Sequence, residues 1–399
     1  MIQLSNRSEK IKPSFTLEMT SKAAELRSKG IDVINFSAGQ PDFNTPKNII
    51  NAAKIAMDEG KTKYTSGSGT IELREAICKK IKRENQVDIL PNQILVSNGE
   101  KQSLYLSCQA LFQKKDQVII FKPYWVSFPE FVALSDATPI FVKTDINKNF
   151  EPDFNDLLSK VNMNTKGIII NTPSNPTGGI WSENAIKKVL KIAKKNKITV
   201  ISDECYERLV FDGEHSISEK INQKYNINAN IITCMSMSKT YAMTGWRIGY
   251  AFGEKKLISA MSKIQGQSTS CANSISQAAS VEALIGDQSE VEKMRNQFKK
   301  RRDLMVGLLN SLPLVSCKMP GGAFYAFPSF NKYIGKLYKG EKIKDSFDLG
   351  DLFLSEASVV TVPGDGFGAP GFIRFSYAAS EDKIIEGISR VKNILNKIK

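Results

Sequence analysis

The chain of 399 residues is long enough for more than one domain, and its hydrophobic content of 41% is typical of a globular protein. No apolar stretch approaches the roughly 20 residues that span a bilayer, and residues 1–10 lack the apolar core of a signal peptide, so we expect a cytoplasmic protein without a membrane partner. The formal net charge of +14 would suit a nucleic-acid binder, but basic runs such as residues 187–197 alternate with apolar residues at helical spacing, which favours solvated helix faces and no nucleic-acid partner.

The cysteines and the single histidine argue against several classes of site. The six cysteines form no CxxC pair, and His215 is the only histidine. A metal site or a histidine-based triad would therefore lack ligands or a base, and we predict no metal and reduced thiols. His215 lies in a loop, where we expect it at the surface.

The amino-terminal part predicts an arm followed by short elements. Residues 1–15 are polar and irregular, and a helix is expected to follow them. A strand over residues 31–36 then leads to Gly39, where the missing side chain lets a ligand approach the backbone. Thr45 is typical of a helix N-cap, because Pro46 follows it at the first helical position.

Apolar, β-branched runs alternate with helical patterns through the middle of the chain. They predict strands near residues 94, 118, 138, 167, 198, 231 and 248. Strands that alternate with helices in this way are typical of an α/β fold with a mainly parallel sheet.

The carboxyl-terminal part predicts a second, smaller unit. Long helical patterns cover residues 273–310, and a final amphipathic helix begins at Ser380. Strand candidates of an α+β domain lie between them, at 322–327, 359–362 and 372–377. The predicted division is an arm with part of the small domain, a large domain and a small C-terminal domain, at residues 1–45, 46–285 and 286–399.

Polar side chains follow two of the predicted strands. Asp203 and Tyr206 come directly after residues 198–202, and a polar stretch at 236–247 follows the strand near 231. Open α/β sheets bind their ligands at the carboxyl edge, where such side chains meet. There the amine of Lys239 can lie beside a phosphate held by hydroxyl and guanidinium groups, from Ser236, Ser238 and Arg247. The alternative for this stretch alone is a polar loop with a solvated lysine.

A glycine turn at residues 98–102 joins a strand to a helix. Such a helix N-terminus offers free N–H groups to a phosphate. The turn has neither the Walker A nor the GxGxxG spacing, so nucleotide binding is not predicted. Trp125 follows the strand near 118, and it is better placed to stack on a flat ring than to fill a core.

Several short motifs together resemble one enzyme family. In chain order they are GQPD at 39–42, TKY at 62–64, PYW at 123–125, SNPTG at 174–178, SDECY at 202–206, SMSKTYAMTGWRIGY at 236–250 and IRFSY at 373–377. They resemble the pyridoxal-phosphate-dependent class I aminotransferases, and among these the bacterial aspartate/prephenate aminotransferase subgroup. The resemblance runs from about residue 11 to the carboxyl terminus. It implies the α/β fold of the fold-type I pyridoxal-phosphate-dependent transferases, with a mainly parallel seven-stranded sheet in the large domain and a smaller α+β domain.

The resemblance implies pyridoxal 5'-phosphate as the cofactor and a homodimer as the active unit. Lys239 would be the catalytic lysine that forms the Schiff base, and Asp203 would pair with the pyridine nitrogen. Tyr206 and Asn175 would hydrogen-bond the phenolic oxygen of the ring. The cofactor phosphate would be held by side chains, by backbone amides and by one residue of the neighbouring subunit, namely Ser236, Ser238, Arg247, Gly99, Glu100, Lys101 and, across the dimer, Tyr64.

The implied reaction is ping-pong transamination between aspartate or glutamate and 2-oxoglutarate or oxaloacetate, with prephenate as a further candidate substrate. Arg374 would form a bidentate pair with the α-carboxylate of the amino acid or 2-oxo acid. The residues that would assist it are Asn175, Trp125 and the backbone of Gly39. Lys101 would bind the distal carboxylate, assisted from the arm by Lys12 and Thr16.

One residue departs from the motif of the subgroup. Glu100 stands where the Gly-Gly-Lys-Gln motif has its second glycine, and it sets an anion next to Lys101. An inward-pointing Glu100 would weaken the affinity for acidic substrates, whereas an outward-pointing one would be inert. The sequence leaves both orientations open.

Other functions were weighed against this one. The same cofactor residues support transamination of alanine or aromatic amino acids, or C–S β-elimination, so these alternatives stay open. Aminotransferase-like sensor domains of transcription factors carry an additional DNA-binding domain, for which the roughly 15 residues before the first helix are too few. A non-catalytic protein would have little reason to retain four functional side chains together, those of Lys239, Asp203, Asn175 and Arg374.

Overall fold

Helices and strands alternate along most of the chain. The computed structural model describes residues 2–13 and 15–399. The helices are α1 Asn6–Lys10, α2 Phe15–Ser28, α3 Lys47–Asp58, α4 Ile71–Asn85, α5 Glu100–Leu111, α6 Ser127–Leu134, α7 Phe154–Lys160, α8 Glu183–Lys195, α9 Ser218–Lys224, α10 Lys255–Ser268, α11 Ser274–Ile285, α12 Ser289–Asn310, α13 Ser346–Ala357 and α14 Glu381–Leu395. The strands are β1 Ile34–Asn35, β2 Ile94–Ser97, β3 Gln117–Phe121, β4 Thr138–Val142, β5 Thr144–Asp145, β6 Glu151–Pro152, β7 Thr165–Asn171, β8 Thr199–Asp203, β9 Ile231–Ser236, β10 Gly249–Gly253, β11 Tyr325–Ala326, β12 Leu337–Tyr338, β13 Glu341–Lys342, β14 Val359–Val360, β15 Val362–Pro363 and β16 Ile373–Ser376.

The main sheet has seven strands in the order β2-β10-β9-β8-β7-β3-β4. Neighbouring strands are parallel except β10, which runs antiparallel to both β9 and β2. Two successive parallel strands need a crossover connection, which is usually a helix. Strands β9 and β10 are joined by turns without a helix, as their antiparallel pairing allows. The predicted strands and the predicted mainly parallel sheet are therefore confirmed.

Helices cover both faces of this sheet. Side chains of successive residues in a strand point to opposite faces, so Ile120 and Ile119 enter different clusters. The first cluster packs against α5 and α10, and the second packs against α8. Helix α8 buries Ile186 and Val189 while its lysines stay at the surface, which is the solvated face predicted for this basic run. Because both faces are covered, the polar ends of the strands are the part of the sheet that a ligand can reach.

A second core lies in the carboxyl-terminal part. It is formed mainly by α12, α13, α14 and two strands, β11 and β16, of the three-stranded sheet β11-β16-β15. The amino-terminal segment joins it, because β1 pairs in parallel with β14 through Ile34 and Val359. The division at residues 45 and 285 itself stays a prediction.

Some local expectations are wrong. The arm contains the short helix α1, because the side chain of Ser5 caps it by accepting from the backbone N–H of Ser8 at 3.3 Å. Thr45 does not cap α3, since its hydroxyl donates to the carbonyl oxygen of Ala242 at 2.7 Å, and Pro46 occupies the N-cap position instead. By contrast, the helical patterns predicted over 273–310 are confirmed, as the two helices α11 and α12. The strand predicted over 31–36 is confined to β1.

His215 is buried, contrary to the expectation from its loop. Its side chain is 2% exposed, and its Nε2 lies 2.6 Å from Oε2 of Glu204. The same carboxylate accepts from the Ser202 hydroxyl and from the backbone N–H of Ser218. A buried carboxylate needs such partners, and this requirement explains why the histidine lies inside. Among the described residues, no helix is long and apolar enough to cross a membrane.

Candidate active site

A cavity of about 740 Å³ opens at the carboxyl edge of the main sheet, between the sheet and the second core. Most of the predicted site residues line it, namely Thr16, Gly39, Glu100, Lys101, Trp125, Asn175, Asp203, Tyr206, Ser236, Ser238, Lys239, Arg247 and Arg374. Three predicted residues lie outside its lining: Lys12, Tyr64 and Gly99. One cavity therefore collects side chains that are far apart in sequence.

Lys239 reaches into the cavity from the turn that follows β9. Its Nζ donates to the carbonyl oxygen of Gly39 at 2.7 Å, which brings the two motifs together across the cavity. Burial lowers the pKa of the Lys239 ammonium, and the positive charges of Arg247 and Arg374 act in the same direction. A lowered pKa favours the free amine, which is the nucleophilic and basic form.

Asp203 ends β8 at the inner wall of the cavity and is only 4% exposed. It accepts from the backbone N–H of Cys205 at 3.1 Å. Burial raises the pKa of the Asp203 carboxyl to about 6. An acid in this position suits a cationic nitrogen of a bound ring, which would restore a compensating charge.

Glu100, the first residue of α5, points inward. It is 6% exposed, and its carboxylate oxygen lies within 4.8 Å of both an Asp203 oxygen and the Cys205 sulfur. Burial raises the pKa of the Glu100 carboxyl well above its ordinary value, and the neighbouring Asp203 charge raises it further. The orientation left open by the sequence is therefore inward, next to Asp203.

The start of α5 and Arg247 form the cationic end of the cavity. Arg247 donates from Nη1 to the carbonyl oxygen of Thr244 at 2.8 Å. Gly99 adopts a φ of +84°, which favours glycine, and a Cβ on it would lie 2.3 Å from Nη2 of Arg247 and push that guanidinium aside. Ser238 is buried nearby, and its backbone N–H donates to the Ser236 hydroxyl at 3.0 Å. A helix N-terminus, hydroxyls and a guanidinium in one place suit a phosphate.

Arg374 is a buried cation on β16, on the side of the cavity opposite Lys239's strand. It is 1% exposed and donates to Asn175 Oδ1 and to the carbonyl oxygen of Ser37, each at 2.8 Å. Its guanidinium carbon lies 4.3 Å from the centre of the Tyr325 ring, and its Nε has no partner. No carboxylate in the described ranges 2–13 and 15–399 forms an ion pair with it. A buried guanidinium without a counter-ion is suited to an anionic ligand.

Lys101 lies at the mouth of the cavity beside Trp125. Its Nζ is 5.1 Å from the centre of the indole ring, a cation–π contact. Burial lowers the pKa of the Lys101 ammonium. The positive charges of Arg247 and Lys239 lower it further. The indole itself packs edge-on against Phe128, which holds its plane at the cavity wall.

The sequence did not single out Tyr325 and Asn171. The Tyr325 hydroxyl pairs with the Tyr206 hydroxyl at 2.9 Å, so Tyr206 has a protein partner that the sequence did not predict. Burial raises the pKa of Tyr206 well above its ordinary value. Asn171 ends β7 in register with Asp203, and its Oδ1 accepts from the backbone N–H of Asn175 at 2.9 Å. The strand-end pattern that identified Asp203 would have identified Asn171 too.

Two predicted residues lie farther away. Tyr64 is 90% exposed, in the segment between α3 and α4. Lys12 lies in the arm, where its backbone N–H donates to Glu130 Oε2 at 3.1 Å. In this arrangement neither side chain belongs to the cavity of its own chain.

Comparisons with known proteins agree with this geometry. The family model described as "Aminotransferase class I and II" matches residues 31–391. A probable aspartate/prephenate aminotransferase of Aquifex aeolicus is 41% identical over 397 residues, which cover 99% of each chain. The aspartate/prephenate aminotransferase of Nitrosomonas europaea is 38% identical over 99% of this chain and 100% of its own.

Solved structures give the same result. The aspartate aminotransferase of Rhizobium meliloti superposes with a TM-score of 0.95 at 36% identity, and the match covers 100% of both chains. The Thermus thermophilus aspartate aminotransferase with maleate superposes with a TM-score of 0.92 at 35% identity, covering 99% of this chain and 100% of its own. The resemblance seen in the motifs and the predicted fold are thus confirmed, and the chain belongs to the class I and II aminotransferase family.

Proposed function

We propose that this protein is a pyridoxal-phosphate-dependent aminotransferase that moves an amino group between aspartate or glutamate and 2-oxoglutarate or oxaloacetate. The observation that carries the proposal is the buried, uncompensated guanidinium of Arg374 in the same cavity as Lys239 and Asp203. The substrate class is supported by relatives that are named aspartate or aspartate/prephenate aminotransferase. This chain matches them over nearly their whole length.

The residues of the cavity fit pyridoxal 5'-phosphate. Gly99 leaves room for Arg247 beside the start of α5, and together they offer a cradle for a phosphate. No cation among the described residues forms a salt bridge with the buried Asp203, so a protonated ring nitrogen would supply that partner, and Lys239 lines the same cavity as the covalent anchor. When bound, this cofactor supplies an electron sink for the carbanion formed at the substrate α-carbon.

The side chains of the protein would divide the remaining work. Lys239 would take the α-proton of the bound amino acid on its Nζ, a task that its lowered pKa favours. Arg374 holds the α-carboxylate with its planar fork, and Asn175 and Tyr325 keep that fork in place. Because each half-reaction uses the same groups, the two substrates alternate in one site.

We further propose that Lys101 binds the distal carboxylate of a dicarboxylic substrate. Lys101→Ala is expected to lower kcat/KM for aspartate by about one to two orders of magnitude, since a charge-assisted contact is worth about 1.5–3 kcal/mol. Alanine lacks the distal group, so its kcat/KM should change little. Steady-state kinetics with both amino acids test this, and equal losses would assign Lys101 to the cofactor or to the fold.

A substrate screen tests the proposed reaction as a whole. Purified protein loaded with pyridoxal phosphate is offered aspartate, glutamate, alanine, tyrosine and cystathionine with 2-oxoglutarate, and prephenate with aspartate as the amino donor. Transamination of aspartate and glutamate is the expected result. Prephenate is the second candidate because the relatives from Aquifex aeolicus and Nitrosomonas europaea carry its name. A protein that uses only alanine, only aromatic amino acids or only cystathionine would contradict the proposal.

We also propose a cytoplasmic homodimer in which Tyr64 reaches the cofactor phosphate of the neighbouring subunit. Its 90% exposure within a single chain supports this role, because a large aromatic side chain left in water is available to a partner.

Mixing two inactive variants tests the shared site. Lys239→Ala and Tyr64→Ala should each be impaired when assayed alone. In a hybrid dimer, the Tyr64→Ala subunit keeps its own Lys239 and receives an intact Tyr64 from the Lys239→Ala subunit, so one site in each hybrid should be restored. Recovered activity after subunit exchange, measured against each variant alone, is the expected result. Exchange without recovery would show that Tyr64 does not act across an interface.

A further inference from the structure

Glu100 is the residue at which this chain departs from the motif it resembles, and its surroundings are unusual. Its backbone passes close to Gly249, since a Cβ on that glycine would lie 2.1 Å from the Glu100 nitrogen. Its side chain is buried, and Oε1 has no hydrogen-bond partner. Its carboxyl group lies instead against Asp203 and Cys205, with the oxygen and sulfur atoms all within 4.8 Å. A second acid has thus been inserted next to the acid of the cavity.

Two carboxyl groups that lie within a few ångströms of each other inside a protein resist ionising together at neutral pH, because each charge raises the pKa of the other. The charged and titratable groups that face Glu100 are Asp203, Cys205 and Lys239, with Cys234 and Tyr250 behind them. Only Lys239 among these offers a positive charge, and it must be neutral to act as a base. The pair therefore has little to compensate a second negative charge.

The surroundings of the two acids favour Glu100 over Asp203 as the group that keeps a proton. Burial and the Asp203 charge raise the pKa of Glu100 well above its ordinary value, whereas the pKa of Asp203 rises only to about 6. Asp203 is favoured as the anion because it accepts from the backbone N–H of Cys205 at 3.1 Å, whereas Oε1 of Glu100 accepts from none of the described groups. The unpartnered Oε1 fits a neutral acid. Burying an oxygen without a hydrogen-bond partner costs less free energy in a neutral carboxylic acid than in a charged carboxylate.

We propose that Glu100 is a positioning residue that, as a neutral acid, donates a hydrogen bond to the Asp203 carboxylate and keeps the pair at a single negative charge. This inference rests on the proposed function for its consequence. A donor to Asp203 stabilises its carboxylate, so the proton between Asp203 and the ring nitrogen of the cofactor stays on nitrogen. Glu100 then acts through Asp203 on the ring, and it does not repel the distal carboxylate of the substrate.

Infrared spectroscopy tests the protonation state without the cofactor. The spectrum of the apoprotein at neutral pH, minus that of Glu100→Gln, should contain the carbonyl band of a protonated carboxylic acid. A difference spectrum that contains only carboxylate bands would overturn the proposal. Because this measurement needs neither cofactor nor turnover, it remains decisive even if the proposed function fails.

Nuclear magnetic resonance of the holoenzyme tests the consequence. Pyridoxal phosphate labelled with ¹⁵N in the ring is bound to wild type, Glu100→Gln and Glu100→Gly, and the ring signal is followed from mildly acidic to mildly alkaline pH. Glutamine keeps a neutral donor, so its signal should match the wild type as a protonated nitrogen. The glycine variant has no donor to Asp203. Its ring-nitrogen signal should therefore change to that of a neutral pyridine at a lower pH than the wild-type signal does. A glutamine variant that shifts as far as the glycine variant would overturn the proposal.

Kinetics separate this role from one in substrate recognition. In Glu100→Gly, kcat should fall about tenfold for aspartate and for alanine alike, which corresponds to one unit of pKa at Asp203. A gain in kcat/KM confined to aspartate would instead show that Glu100 repels the distal carboxylate. If the glycine variant does not fold, the infrared spectrum and the glutamine variant still decide the question.

Discussion

A Lys239→Ala variant is expected to lose about 10⁴-fold in kcat for the transamination of aspartate, at the upper end of what a positioned general base contributes. The loss is large because one amine both anchors the cofactor and carries the α-proton. Steady-state kinetics with aspartate and 2-oxoglutarate measure it. Lys239 has a lowered pKa and lies in the turn that follows β9, where its Nζ reaches the carbonyl oxygen of Gly39 across the cavity.

The covalent link gives a second readout for the same residue. Borohydride reduction of the holoenzyme followed by mass spectrometry should find the cofactor on the peptide that contains Lys239. Lys101→Ala is the matched control, since Lys101 also lines the cavity but should leave the label in place. A label on any other lysine would contradict the assignment.

Replacing Arg374 by alanine should lower kcat/KM for every amino-acid substrate by about 10²- to 10⁴-fold, because two charge-assisted hydrogen bonds of about 1.5–3 kcal/mol each are lost. Aspartate and alanine should suffer alike, since both carry the α-carboxylate. This pattern differs from the one expected for Lys101→Ala. Arg374→Lys keeps the charge but not the planar fork, so an intermediate loss is expected.

Ligand-dependent stability tests Arg374 without turnover. A non-reacting dicarboxylate such as maleate should raise the Tm of wild type by mass action and should raise that of Arg374→Ala much less. Circular dichroism of the variant without ligand checks that the fold survives, because Asn175 Oδ1 and the Ser37 carbonyl oxygen lose a donor. Normal alanine turnover by the variant would contradict the role of Arg374.

Part of this protein could be predicted from local sequence. The strands of the main sheet are short apolar runs, and the side chains that follow them fall at one edge for geometric reasons, which is why Asp203 and Lys239 could be singled out. The amphipathic period of α8 likewise predicts its buried face. These features depend on a few neighbouring residues, so sequence determines them.

Tertiary structure alone decided the contacts between distant segments. Arg374 meets Asn175 and stacks on Tyr325 because β16 faces the main sheet across the cavity, an approach that no local pattern encodes. The inward orientation of Glu100 places its carboxyl group beside Asp203 and Cys205, which come from another segment of the chain. His215 is buried because Glu204 requires a partner. In each case the partner lies many residues away, and the free energy that selects the arrangement comes from packing and from compensating buried polar groups.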